Sequence, residues 1–183
     1  MQYLCTYYDP DHRLSFPTDS PEHWECLSWL TWMQSGIGPM QGQANHFYRY
    51  APETIDYAVR RYQTETRRLY AVLNDRLEAQ KAAGHGLWLV GGKYSIADLA
   101  CFSWVNWAEW ALGREWSKGD PFPALQAWLA EIEKRPAIKK GVNVPDEFEM
   151  KEAMKTAEGE REYAKHHGSW VIQGQKADQE KHK

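Results

Sequence analysis

Gly92-Lys93-Tyr94-Ser95-Ile96-Ala97-Asp98-Leu99-Ala100 is the stretch whose reading decides the fold. Ser95 is a favoured N-cap. Asp98, three positions on, can accept from the free N–H groups of the first turn, which makes the pair a capping box in its aspartate form. Tyr94 before the cap and Leu99 at the fourth helical position supply the apolar staple that sets the entry angle of the chain. Ile96, Leu99, Ala100, Cys101, Phe102, Trp104, Val105, Trp107 and Trp110 then leave almost no polar face. A helix apolar all round belongs in the middle of a bundle.

Upstream of the box, Ala51-Pro52-Glu53 reads as the start of the longest helix. Its Ile55, Val59, Tyr62, Thr66, Leu69, Leu73 and Leu77 recur at steps of three and four as one amphipathic stripe. Arg60, Arg61, Glu65, Arg67 and Arg68 lie opposite, a solvated face with pairs such as Arg61 with Glu65. Earlier still, Ser20-Pro21-Glu22 carries a cap, a proline at the first position and an early acid, and so opens another helix. That helix reaches Gly36-Ile37-Gly38-Pro39-Met40, which is expected to kink or interrupt it. Met1 to Tyr8 reads as the last turns of a helix, followed by a turn at Asp9-Pro10-Asp11.

Downstream, Pro123 to Lys134 forms a helix stopped before Pro136, and Ala137 to Lys140 a short final turn. From Pro145 the composition becomes charge-rich. A thin stripe of Met150, Met154 and Ala157 predicts an exposed helix packed weakly on the bundle, with Ser169-Trp170-Val171-Ile172 able to dock back. Gln173 to Lys183 is expected to lack structure. No strand alternation of useful length occurs, so the fold class is all-α.

With 183 residues, 43% of them apolar, the chain is long enough for one core and a tail. A formal charge of −3 gives no long-range pull toward nucleic acid or anionic lipid, and neither partner is expected. Three cysteines without CxxC spacing fit a reducing, cytoplasmic compartment, and no apolar run is long enough for a membrane span. Gly91-Gly92-Lys93 is not a phosphate loop, because the earlier glycine is missing and Tyr94 stands where Ser or Thr should follow. The seven histidines show no metal-ligand spacing, so no metal is expected. Cys101 lies in the most buried helix and should be inert. No catalytic residue can be named from the residues alone.

Four motifs in order, WLTWMQSGIGPMQGQANHF (29–47), RYQTETRRLYAVLNDRL (61–77), YSIADLACFSWVNW (94–107) and PALQAWLAEIEKRPA (123–137), resemble the C-terminal helical domain of cytosolic glutathione transferases. The likeness is greatest to the fungal branch with the nitrogen-regulating prion protein and to the bacterial nu class. It implies a helical bundle over 20–143, a remnant of the last helix of a thioredoxin-like domain plus linker over 1–19, and a charged, partly disordered extension over 144–183. In that family Ser95 and Asp98 match the N-capping box of the core helix, a folding element. The thioredoxin-like domain, which supplies most of the glutathione site, is expected to be missing.

The resemblance further implies glutathione contacts made across a homodimer at Arg61, in the RY motif, and at Ser28, where the family commonly has glutamine. An apolar wall for a hydrophobic small-molecule co-substrate would fall on Trp32, Met33, Gly36, Met40, Trp107 and Trp110. The function implied is conjugation or thiol exchange of glutathione with an apolar electrophile, once a thioredoxin-like domain is supplied. Two alternatives stay open. One is a glutathione-independent isomerase or cyclase of fungal secondary metabolism working in an aromatic pocket; the other is a non-catalytic binding or dimerisation module. Self-association, or cover by the extension, is expected for the apolar surface near the start of the WL helix.

Overall fold

A computed structural model describes residues 1–119 and 122–181. Among the described residues thirteen helical segments follow in order. The first are α1 (Gln2–Tyr8), α2 (Pro21–Trp32), a π-helical turn (Met33–Ile37), α3 (Gly38–Asn45) and a second π-helical turn (His46–Tyr50). Next come α4 (Asp56–Ala82), α5 (Ile96–Val105), α6 (Ala108–Leu112) and α7 (Trp116–Gly119). The rest are α8 (Pro123–Glu133), α9 (Pro136–Gly141), α10 (Met150–Ala153) and α11 (Ala157–Lys181). Among the described residues the only strand-like pairing is an isolated bridge between Val90 and Lys93.

α5 is the centre of the bundle. Ile96, Ala97, Asp98, Ala100, Cys101, Phe102 and Val105 are all buried in it. α2 and the first π-helical turn pack on one side, α8 on another, and α4 closes the group against α3 and α8. Leu69, Tyr70, Leu73 and Leu77 are the buried stripe of α4, as its periodicity predicts. The core helix is shorter than its apolar run: the chain leaves helical geometry after Val105, and Trp107 becomes the residue before α6.

Local expectations meet the structure as follows. The Gly-x-Gly-Pro insert interrupts the α-helix, as expected, but with a π-helical turn over Met33–Ile37 rather than a break in the chain's helical course. Gly38 N–H donates to Met33 O five residues back, a wide turn that carries the chain through in helical conformation. Pro39 then sits in the first turn of α3, where its missing N–H is not needed. The longest helix starts at Asp56 rather than Pro52, because the preceding helical run continues to Tyr50 and Ala51, held extended before Pro52, begins the reversal.

At the C-terminus, α11 runs through 173–181 where no structure was expected; 182 and 183 lie outside the described residues. The extension also does not pack weakly. Met150 and Met154 are 0% and 3% exposed and form a second core with Trp110, bordered by Tyr50, Trp107, Phe148 and Tyr163. Trp170, in contrast, is 72% exposed and does not dock back. Nor does the extension cover the start of α2. Trp24 and the α1 residues Tyr3, Leu4, Tyr7 and Tyr8 stay exposed.

The glycine pair before the box has a conformational reason. Gly91 and Gly92 take φ of 58° and 68°, and a Cβ on Gly91 would lie 2.6 Å from the Phe16 ring. Lys93 follows by donating to His12 O at 2.5 Å, so this run ties the first loop to the entrance of α5.

Candidate functional site

Both halves of the capping box form. Ser95 Oγ accepts from Ala97 N–H, and Asp98 Oδ2 accepts from Ser95 N–H at 3.0 Å and from Ser95 Oγ at 3.1 Å. The second carboxylate oxygen does work that the motif does not announce. Asp98 Oδ1 accepts from Leu89 N–H and from Trp128 Nε1, each at 3.0 Å. Leu89 in turn offers its carbonyl to Arg76 and Gln80 of α4. One buried carboxylate therefore fixes α5, α8 and the 87–90 segment, and through it α4. Burial pushes the Asp98 carboxyl above its ordinary range, with the donors from Trp128, Leu89 and Ser95 opposing that rise. A group so enclosed is a folding element.

The proposed glutathione contacts stand on the outside. Arg61 is exposed on α4 and makes no side-chain hydrogen bond or ion pair among the described residues. Its expected partner Glu65 pairs instead with Arg68, at 2.7 Å and 2.8 Å. The Arg68 hydrogen bonds hold Glu65 below its usual range, with a smaller contribution from the charge of Arg61. Ser28 is exposed on α2, with its hydroxyl donated to Trp24 O at 2.9 Å. Arg61 thus presents free donors suited to a carboxylate, whereas Ser28 is satisfied within its own helix.

The apolar wall residues are dispersed. Met33 is buried in the main core, with Trp32 and Met40 packed against it. Gly36 lies where a Cβ would be 3.3 Å from Leu69, so it is a packing contact between helices. Trp110 is 2% exposed in the second core and donates from Nε1 to Tyr50 Oη at 2.8 Å. Trp107 packs against Phe148 with ring centroids 5.0 Å apart and borders an open groove. No described cavity is shared by Trp32, Met40 and Trp110.

Sequence reading missed the attachment of the extension. Arg49 lies 4.1 Å from the Tyr48 ring and 4.5 Å from the Trp110 ring, and donates to Trp110 O at 2.9 Å. It pairs with Glu160 of α11 at 2.7 Å, and Glu160 also takes Arg114 at 3.0 Å. The arginine in HFYRY gave no signal of this, because its partner is more than a hundred residues away. The indole partner of Asp98 was equally invisible.

The chain's own thiols are poor nucleophiles near neutral pH, since burial raises Cys5, Cys26 and Cys101 above their ordinary value. Among the described residues no group of three or more His, Cys, Asp or Glu could hold a metal ion. No described helix is long and apolar enough to cross a membrane.

With this geometry in place, residues 43–141 match the family description "Glutathione S-transferase, C-terminal domain". The disulfide-bond oxidoreductase YfcG of Escherichia coli is 49% identical over 111 residues, 61% of this chain and 47% of that protein. The glutathione S-transferase-like protein tpcF of Aspergillus fumigatus is 38% identical over 148 residues, 78% of this chain and 64% of that protein. A glutathione transferase homolog from Lodderomyces elongisporus, crystallised with two GSH per subunit, superposes with a TM-score of 0.71 at 38% identity. That match covers 79% of this chain and 64% of the homolog. The chain thus spans about half to two-thirds of these relatives.

Proposed function

We propose, from the premise that the chain belongs to the glutathione S-transferase family through its C-terminal domain, that it serves glutathione chemistry on an apolar electrophile. The reaction is conjugation to the glutathione thiol, or exchange of that thiol with a disulfide. Lowering the thiol's pKa is assigned to a thioredoxin-like domain rather than to this chain, whose own cysteines are held in the thiol form. Arg61 is assigned to a glutathione carboxylate, across a homodimer. The observation that carries the reading is the family match over 43–141 together with an exposed arginine in the RY motif whose guanidinium is unengaged.

Fusing the region of the Lodderomyces homolog that precedes the match to Met1 tests this. The fusion should consume glutathione with an apolar electrophile or a disulfide, and Arg61→Gln should raise KM for glutathione. A folded fusion that consumes none would count against the reading.

A second reading, a docking or dimerisation module, is favoured by one observation: Tyr3, Leu4, Tyr7, Tyr8 and Trp24 are each at least 58% exposed. Dimerisation serves both readings. The isomerase or cyclase reading draws no support from the described cavities, none of which is lined by Trp32, Met40 and Trp110 together, while Trp110 packs with Met150 and Met154.

A further inference from the structure

We infer that Arg49 and Arg114 form a receptor on the bundle for a compact apolar carboxylate, and that the extension closes this receptor by presenting Glu160 as a stand-in for the ligand. The carboxylate of Glu160 is divided between two guanidinium groups from different parts of the bundle. Its Oε1 accepts from Arg49 Nη1 at 2.7 Å, and its Oε2 from Arg114 Nε at 3.0 Å. Charge-assisted donors converging on one carboxylate make a strong and geometrically specific receptor for that group. Here the carboxylate arrives on α11, from outside the bundle.

The bundle builds the receptor from its own residues. Arg49 Nε donates to Trp110 O at 2.9 Å, and the guanidinium stands 4.1 Å from the Tyr48 ring centroid and 4.5 Å from that of Trp110. Trp110 Nε1 donates to Tyr50 Oη at 2.8 Å. The cation and the indole are therefore fixed side by side before the extension is considered. What the extension adds is a counter-charge and an apolar cover. Met150 and Met154 pack against Trp110, and Tyr163 meets it edge to face with ring centroids 5.4 Å apart. Together with Glu160 they imitate an acid with an apolar body close to its carboxylate. That is the ligand class the receptor fits.

The cover is attached in a way that lets it open. Among the described residues the main core draws on nothing beyond Val142, so the interior of the bundle is complete without the extension. Residues 142–149 join the two without helix, and Gly168 is the only buried residue of α11. Release exposes the small second core and leaves the main one intact. A ligand that binds only the open form has its apparent affinity lowered by the fraction of closed chain. Neither Arg61 nor Ser28 takes part in these contacts, so the inference does not depend on the glutathione reading.

Titration of the whole chain with 4-phenylbutyrate, followed by heat and by hydrogen exchange, tests it, with 4-phenylbutan-1-ol as the comparison. The acid should bind saturably, and the alcohol about tenfold more weakly. Glu160→Gln should tighten binding of the acid about tenfold, since it removes the charge of the stand-in. Met150→Ala with Met154→Ala should also tighten it while keeping every charge, and this pair reads the opening should Glu160→Gln not fold. Arg114→Gln, added to either opened variant, should weaken binding about tenfold. When the acid binds the native chain, the amides of 150–168 should exchange faster while those of α5 stay protected, a response that a purely structural ion pair does not give. The inference is overturned by a lack of saturable binding in the native chain and the opened variants at millimolar acid. Equal affinity for acid and alcohol, slower exchange of 150–168 on binding, or affinity unmoved by Arg114→Gln would overturn it as well.

Discussion

The indole N–H of Trp128 donates to Asp98 Oδ1 at 3.0 Å, both residues fully buried, and this bond joins α8 to the first turn of α5. Trp128→Phe keeps most of the ring and removes the donor, so it should cost about 2 kcal/mol in urea unfolding. Asp98→Ala should cost more, at least about 3 kcal/mol, since it strands Leu89 N–H, Ser95 N–H, Ser95 Oγ and Trp128 Nε1 together. The box read alone is worth only about 1 kcal/mol. Equal losses near that smaller figure would show that Asp98 acts as a cap and nothing more.

The start of α5 was legible because a cap, an acid three residues on and an apolar run are all local. The α4 stripe was legible for the same reason, since its periodicity is fixed by the helix itself. What stayed hidden depends on distant partners. Trp128 was not singled out within its helix, Met150 and Met154 were read as a thin stripe, and Arg49 was not read at all, because nothing near them names Asp98, Trp110 or Glu160. The start of α4 was misplaced for a related reason: Pro52 carries a good local signal, but the preceding helix does not stop where its sequence suggests. Of the candidate site, Arg61 was named from its motif and stands exposed on α4, whereas the wall residues are divided between two cores by the path of the helices.

Arg49 and Glu160 hold the extension through a pair whose side chains are 8% and 16% exposed. Glu160→Ala leaves Arg49 largely buried without its partner and should cost about 3 kcal/mol. Hydrogen exchange should find the amides of 150–168 as protected as the bundle in the native chain and selectively released in the variant. Free exchange of that segment in the native chain would contradict the second core.

Alkaline pH tests the buried phenol. Tyr94 is raised from 10.0 to about 12 by burial, so between those values the unfolded chain loses a proton that the folded chain keeps. Its contribution is fully present below pH 10 and is lost as pH rises toward 12. Tm should therefore fall across that window, and fall less steeply in Tyr94→Phe. Parallel curves for the two proteins would place the alkaline loss elsewhere.

The aromatic surface of α1 and the start of α2 should associate. Sedimentation equilibrium should find dimers, and Tyr7→Lys with Tyr8→Lys should shift the population to monomer with Tm little changed, since both residues are about 70% exposed in the single chain. A monomer that persists at high concentration would remove the dimer from the proposal.

The central claim is that this helical domain carries a glutathione contact at Arg61, and calorimetric titration of the whole chain with glutathione tests it most directly. The account expects saturable heat at millimolar glutathione, reduced about tenfold or more in apparent affinity by Arg61→Gln with Tm unchanged. No heat at millimolar glutathione, or heat unaffected by Arg61→Gln, would contradict it.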